Sequence, residues 1–133
     1  MIDANQTVTL DQCHLDLLYG LMVSLKPKHA LELGIGSGQV TDLIIRAFEY
    51  NGLPLDLTTV DNWLDWDYQM PAVAAEYEKK GVHIVTASEM DYSRSLRRSF
   101  DLIISDADHH HAHSSFPIFM KHLNRGGMFV CHD

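Results

Sequence analysis

Seven residues constrain this chain more than any others: Glu32-Leu33-Gly34-Ile35-Gly36-Ser37-Gly38. The run Ala30-Leu31-Glu32-Leu33 reads as a short strand leading into them. Behind them, Val40, Leu43, Ile44, Ala47 and Phe48 fall on one face of a helix. Glycines placed between a strand and a helix let a ligand approach the backbone, beside the free N–H groups of the helix's first turn. No Gly-Lys-Ser/Thr follows, so the turn is not a Walker-type phosphate loop. A dinucleotide fingerprint G-x-G-x-x-G accepts Gly34 and Gly36 but meets Gln39 at its third glycine position.

The rest of the chain repeats the same alternation, which means an α/β fold on a parallel sheet. Thr9 and Gln12 read as a capping box, and Leu18, Leu21, Met22 and Leu25 follow helical spacing. Leu55 to Val60 reads as a second strand ending at Asp61, and Val82 to Thr86 as a third. Between them Pro71 opens a helix that Lys79, Lys80 and Gly81 close. Residues 88–98 read as a short helix or irregular segment. Phe100 to Ser105 is a fourth, nearly continuous apolar strand. Phe116, Phe119, Met120 and Leu123 make a helix face that Asn124-Arg125-Gly126-Gly127 terminates, and Met128 to Cys131 is a fifth strand. At 133 residues this is one domain, with an N-terminal helical segment over 1–27 and a nucleotide-binding core over 28–133.

Charge narrows the partners. Lys and Arg number 10 against 18 Asp and Glu, a formal net charge of −8, which excludes a nucleic-acid binder working through a basic face. Cys13 and Cys131 make neither a disulfide scaffold nor a zinc ribbon. No apolar run is long enough to span a membrane and no secretory signal opens the chain, so a cytoplasmic location is the default expectation.

The glycine turn, with an acid two residues ahead of its first glycine, resembles motif I of the class I S-adenosylmethionine-dependent methyltransferases. The resemblance extends over about residues 28–133. Asp61 stands where that family's ribose-binding acid ends the second strand, and Ala87-Ser88-Glu89 resembles its adenine-edge loop. Phe100 to Asp108 resembles its motif IV, and Gly126 to Val130 the strand that follows. The resemblance implies a Rossmann-like three-layer sandwich with parallel strand order 3-2-1-4-5, lacking the usual C-terminal strands 6 and 7. It also implies a cofactor site of Glu32, Gly34, Gly36, Gly38, Asp61, Trp63, Ser88 and Glu89. Simpler roles stand beside these: a helix-capping carboxylate for Glu32, a strand-end turn residue for Asp61, and loop packing for Trp63 and Trp66.

Asp106-Ala107-Asp108 and His132-Asp133 close the fourth and fifth strands, which should lie about 4.8 Å apart. This layout resembles the metal-dependent O-methyltransferases and implies a divalent ion such as Mg²⁺ between Asp106 and Asp133. The family's third ligand would fall at position 134. His109, beside Asp106, is positioned by sequence to take the acceptor's proton, while the cluster His109, His110, His111 and His113 also reads as a solvated loop. The function implied is methyl transfer from S-adenosylmethionine to a small-molecule hydroxyl, with no nucleic-acid or membrane partner. The alternatives are a truncated, inactive domain that binds the cofactor or a partner, and a dinucleotide enzyme. With no strand after the fifth, Met128 to Cys131 would form an exposed apolar edge. Three expectations follow: a fragment of a longer protein, a homo-oligomer covering that edge, or a reduced form of the domain.

Overall fold

The computed structural model describes residues 12–63, 70–106 and 112–132. Their order is α1 (Gln12–Leu25), β1 (Ala30–Leu33), α2 (Gln39–Tyr50), β2 (Leu57–Asp61), α3 (Met70–Lys79), β3 (His83–Thr86), α4 (Glu89–Ser95), β4 (Phe100–Ser105), α5 (Ala112–Met120) and β5 (Leu123–Cys131). The strands form one sheet in the order β3-β2-β1-β4-β5. All four strand pairs are parallel. This is the Rossmann-like α/β arrangement and strand order expected from the sequence, with five strands among the described residues. Thr9 of the expected capping box lies outside them. No helix among them is long and apolar enough to cross a membrane.

Strand residues point alternately to two cores. Ala30, Leu57, Leu102 and Ile104 face α1, α2 and α3, where they join Met22, Ile44 and Phe48. Leu31, Leu33, Val60 and Ile103 face α4 and α5, where they join Leu96 and Phe119. Every residue of β1 is buried, which explains the run's lack of polar alternation. The buried face of α2 is Val40, Thr41, Ile44, Ala47 and Phe48. Thr41 takes the place expected for Leu43, which is only half-buried, because its hydroxyl has a partner beneath it.

The start of the sheet is held by carboxylates. Asp101 accepts the backbone N–H groups of Lys28 and His29 at 2.9 and 3.0 Å and the Asn124 amide at 3.0 Å. Asp56 accepts from Arg98 at 2.7 Å, with His29 Nδ1 2.6 Å away. Burial pushes the Asp56 carboxyl up, but Arg98 and His29 outweigh it and hold the group below the usual carboxylate range.

Residues 88–98 contain the short helix that is one of the two readings there, α4, with Ser88 as its N-cap. Two expectations need correction. β2 starts at Leu57 rather than Leu55, and β3 at His83 rather than Val82. The fifth helix ends at Met120, and Leu123 to Gly127 belong to β5 rather than to a helix and its stop. Leu123 pairs with Phe100 while Met128 pairs with Leu102, so the residues between bulge out of register. Gly126 has φ +80, and a Cβ on Gly127 would stand 2.7 Å from the Asp101 carbonyl oxygen. Backbone is slow to yield, so Gly127→Ala is expected to destabilise the fold by about 1–3 kcal/mol in urea unfolding. An unchanged midpoint would show that the bulge is soft.

Candidate functional site

The chain leaves β1 at Leu33 and turns through Gly34, Gly36 and Gly38, with φ of 88°, 51° and 83°. The Gly34 N–H donates to Val60 O at 2.8 Å, tying the turn to β2. Gly38 N–H donates to Ile35 O at 2.8 Å, and Gly38 O opens α2 by accepting from Asp42 N at 2.9 Å. Only glycine suits position 38. Its φ is left-handed, and a Cβ would lie 2.1 Å from the Tyr77 hydroxyl. That hydroxyl sits 3.2 Å from Gly38 O and 3.1 Å from Asp42 Oδ1, so α3 braces the turn. Burial, and then Asp42, push its pKa up, which keeps it a donor. No side chain caps the start of α2, where a helix has N–H groups without intrahelical partners.

Asp61 ends β2 and clamps two loops. Oδ2 accepts from Ile35 N at 2.8 Å, inside the glycine turn, and Oδ1 accepts from Trp63 N at 2.7 Å. The second contact holds Trp63 at φ 62, unusual for a bulky residue. Trp63 is buried in the same core as Ile35 and Tyr77, and its Nε1–H donates to Thr86 Oγ1 at 3.2 Å. The ring is thus mainly a packing element. Trp66 lies outside the described residues.

The other acids of the expected cofactor set do structural work. Glu32 is only 1% exposed. Its oxygens accept from Thr41 Oγ1 at 3.0 and 2.8 Å and from Thr59 Oγ1 at 2.8 Å. The carboxylate therefore lies beneath the turn rather than open to a ligand. Burial, opposed by the two threonines and reinforced by Asp61 and Asp106, pushes its pKa up to about 8. Ser88 caps α4 by accepting from Asp91 N at 3.1 Å. Glu89 is buried and accepts from the Ser115 hydroxyl, which joins α4 to α5. Of the expected set, the three glycines and Asp61 are the members gathered around the turn.

Asp106 follows β4 directly. Its N–H donates to Leu33 O at 2.9 Å, and its Oδ1 lies 3.2 Å from His132 Nδ1 at the end of β5. His109 and Asp133 lie outside the described residues. No group of three His, Cys, Asp or Glu able to hold a metal occurs among the described residues. Of the expected pair Asp106 and Asp133, only Asp106 lies among the described residues, so a divalent ion such as Mg²⁺ stays an expectation there.

A sequence family described as "Methyltransferase domain" matches residues 31–133. The chain belongs to this family. No curated protein matches the sequence. Among solved structures, a candidate caffeoyl-CoA O-methyltransferase from Staphylococcus aureus is similar with a TM-score of 0.75 at 20% identity, over 96% of this chain and 60% of that one. An O-methyltransferase from Bacillus cereus, in complex with SAH, gives 0.70 at 18% identity over 92% and 57%. TomG from Streptomyces achromogenes, an O-methyltransferase involved in tomaymycin synthesis and in complex with SAM, gives 0.70 at 20% identity over 93% and 56%. The methyltransferase domain described here thus spans 60% or less of the length of each of these three structures.

The domain's Lys and Arg residues are unevenly placed along its strands. All ten Lys and Arg lie in the described residues. Lys26 and Lys28 precede β1. Arg46, Lys79 and Arg94 occupy the second halves of helices, and Lys80, Arg97, Arg98 and Lys121 follow helix ends. Arg125 lies in the first half of β5. Helices in a wound parallel sheet run opposite to the strands, so these positions share the edge away from the glycine turn. Lys80 reaches back furthest, its ammonium 3.6 Å from Asp42. Glu32, Asp61 and Asp106 stand at or near the other ends of three adjacent strands.

Beside Asp106 the methyltransferase domain has a cleft of ≈ 230 Å³ between α1 and the ends of β4 and β5. His14 and His132 both line it, their rings edge-on with centroids 6.4 Å apart. The sequence reading passed over His14 and named His132 only as the neighbour of Asp133. His14 lay in plain view at helical spacing with Leu17, Leu18 and Leu21, but what that face meets depends on the placement of β4 and β5.

Proposed function

We propose that this methyltransferase domain binds S-adenosylmethionine across the ends of β1, β2 and β4 and transfers the methyl group to the hydroxyl of a small molecule. The observation that carries the reading is the glycine turn after β1 with Asp61 held against it through Ile35 N, and Asp106 at the end of the adjacent β4. Carboxylates at that edge favour a cation and disfavour the diphosphate of a dinucleotide.

When bound, S-adenosylmethionine supplies a methyl carbon on a sulfonium, and the C–S bonding pair stays with sulfur as the acceptor oxygen takes the methyl. The chain's own groups do the placing. The Gly34–Gly38 turn admits the ligand close to the backbone. Each Asp61 oxygen takes one backbone N–H and keeps a second lone pair, which suits a ribose hydroxyl. Asp106 marks the acceptor end, where the hydroxyl must lose its proton, and His109 remains the proposed group for taking it. Orientation is the main contribution expected from such a site. No step is assigned to a metal. The acidic surface suits a small-molecule acceptor rather than a nucleic acid, and a second copy pairing along β5 remains a proposal.

Calorimetric titration with S-adenosylhomocysteine is the direct test. Binding in the micromolar range is expected, with NAD binding more weakly. Tighter binding of NAD, or no binding of adenosylhomocysteine by a chain shown to be folded by circular dichroism, overturns the reading. Single-turnover transfer to a panel of hydroxyl acceptors separates an enzyme from a domain that only holds the cofactor.

A further inference from the structure

The cleft between α1 and the ends of β4 and β5 has a composition of its own. Its walls are Leu17, Leu18 and Leu21 from α1, Val40 from α2, Ile104 from β4 and Val130 from β5. Among the described residues its polar groups are His14, Asp106, His132 and the thiol of Cys131, and no Lys or Arg lines it. The α1 contribution follows one helical stripe, 14, 17, 18 and 21. Leu17 on that stripe is 64% exposed, an apolar side chain left open at the cleft. An engineered apolar cavity of about 150 Å³ holds benzene. A cleft of ≈ 230 Å³ therefore has room for one substituted ring.

We propose that this cleft is the acceptor site, that it takes an uncharged, ring-sized molecule carrying a hydroxyl group, and that His14 is a specificity-determining residue that binds the acceptor's polar end. The proposal rests on the methyl-transfer reading above and deepens it. Apolar walls penalise a charged ligand of either sign. An anion fares worst, because the charge it would meet is that of Asp106. A neutral hydroxyl is served well: an imidazole can donate to it or accept from it. His132 turns Nδ1 toward Asp106 at 3.2 Å, which orients its ring, and His14 approaches from the opposite wall. An acyl-coenzyme A brings several phosphate charges, for which this cleft offers no cation. That separates this site from one built for the acceptor named for the Staphylococcus aureus protein.

The test uses the full chain, ¹⁵N-labelled and saturated with adenosylhomocysteine, titrated with 4-methylphenol and with 4-hydroxybenzoate. These two probes differ by a methyl against a carboxylate. The methylphenol is expected to shift the Leu17, Leu21 and Val130 amides, and to bind at least tenfold more tightly than the benzoate. His14→Ala should weaken methylphenol at least fivefold while leaving the affinity for adenosylhomocysteine and the melting temperature unchanged, and His14→Gln should recover part of the loss. Shifts elsewhere, equal binding of the two probes, or an indifferent His14→Ala variant overturn the proposal while the cofactor reading stands. Failure to bind adenosylhomocysteine overturns both.

Discussion

Asp61→Ala is expected to lose both cofactor binding and part of the fold. The sequence alone suggests the first without the second, since a strand-end acid that only touches a ribose is dispensable to the apo chain. The structure changes that expectation. Asp61 satisfies the N–H of Ile35, a residue only 5% exposed, and holds Trp63 at φ 62. Removing the carboxylate leaves a buried donor unmatched, which costs about 1–3 kcal/mol, and frees Trp63 to relax toward an ordinary backbone. The melting temperature should fall by several degrees. Affinity for adenosylhomocysteine should fall by roughly 10–100-fold, as expected for losing one to two charge-assisted hydrogen bonds together with the shape of the turn. Asp61→Asn separates the two effects. Its amide keeps one acceptor oxygen, so one of the two backbone N–H groups stays satisfied and the stability loss should be smaller. Thermal melts and calorimetry on both variants check this. Wild-type affinity in a folded Asp61→Ala chain would remove Asp61 from the site altogether.

The pattern of success along the chain has a physical explanation. The unit from Ala30 to Phe48 was legible because each of its signals is local: an apolar strand, glycines at left-handed φ, and a helical stripe. The end of α5 was not. Leu123 falls at helical spacing from Phe116, Phe119 and Met120, yet it pairs with Phe100 across the sheet, and strand pairing outweighed periodicity. Gly126 and Gly127 signal a left-handed or crowded backbone correctly, but a helix stop and a β-bulge make the same demand. Glu32 shows a missed inference rather than a missing signal. Leu31 and Leu33 face the α4–α5 core, so strand alternation alone places Glu32 with Ala30 on the α2 side, under Thr41. His14 needed tertiary knowledge, because its own helix says which residues share its face but not what that face meets.

Glu32→Gln is expected to stabilise the domain above neutral pH and to abolish a pH dependence that the wild type shows. Glu32 is buried, its described partners are the neutral hydroxyls of Thr41 and Thr59, and Asp61 and Asp106 are the carboxylates acting on it. Its pKa stands at about 8 in the fold against 4.5 for the free group. The folded state therefore holds the proton more tightly than the unfolded chain. Its contribution to stability is complete below pH 4.5 and is lost as pH rises through about 8. The loss is on the order of a few kcal/mol, since each pKa unit corresponds to about 1.4 kcal/mol. Gln keeps the shape and an acceptor for the threonines without the charge. Its unfolding free energy should stay flatter between pH 5 and 8 than that of the wild type, measured by urea titration at several pH values in the range of about 5–8. The same group links the fold to the ligand. A cation bound above the turn favours the ionised form of Glu32, so binding of S-adenosylmethionine below pH 8 should expel a proton that adenosylhomocysteine, without the sulfonium, does not expel to the same degree. Calorimetry in two buffers of different ionisation enthalpy reads that proton directly. Glu32→Gln should remove the difference between the two ligands; a difference that survives the substitution would place the titrating group elsewhere.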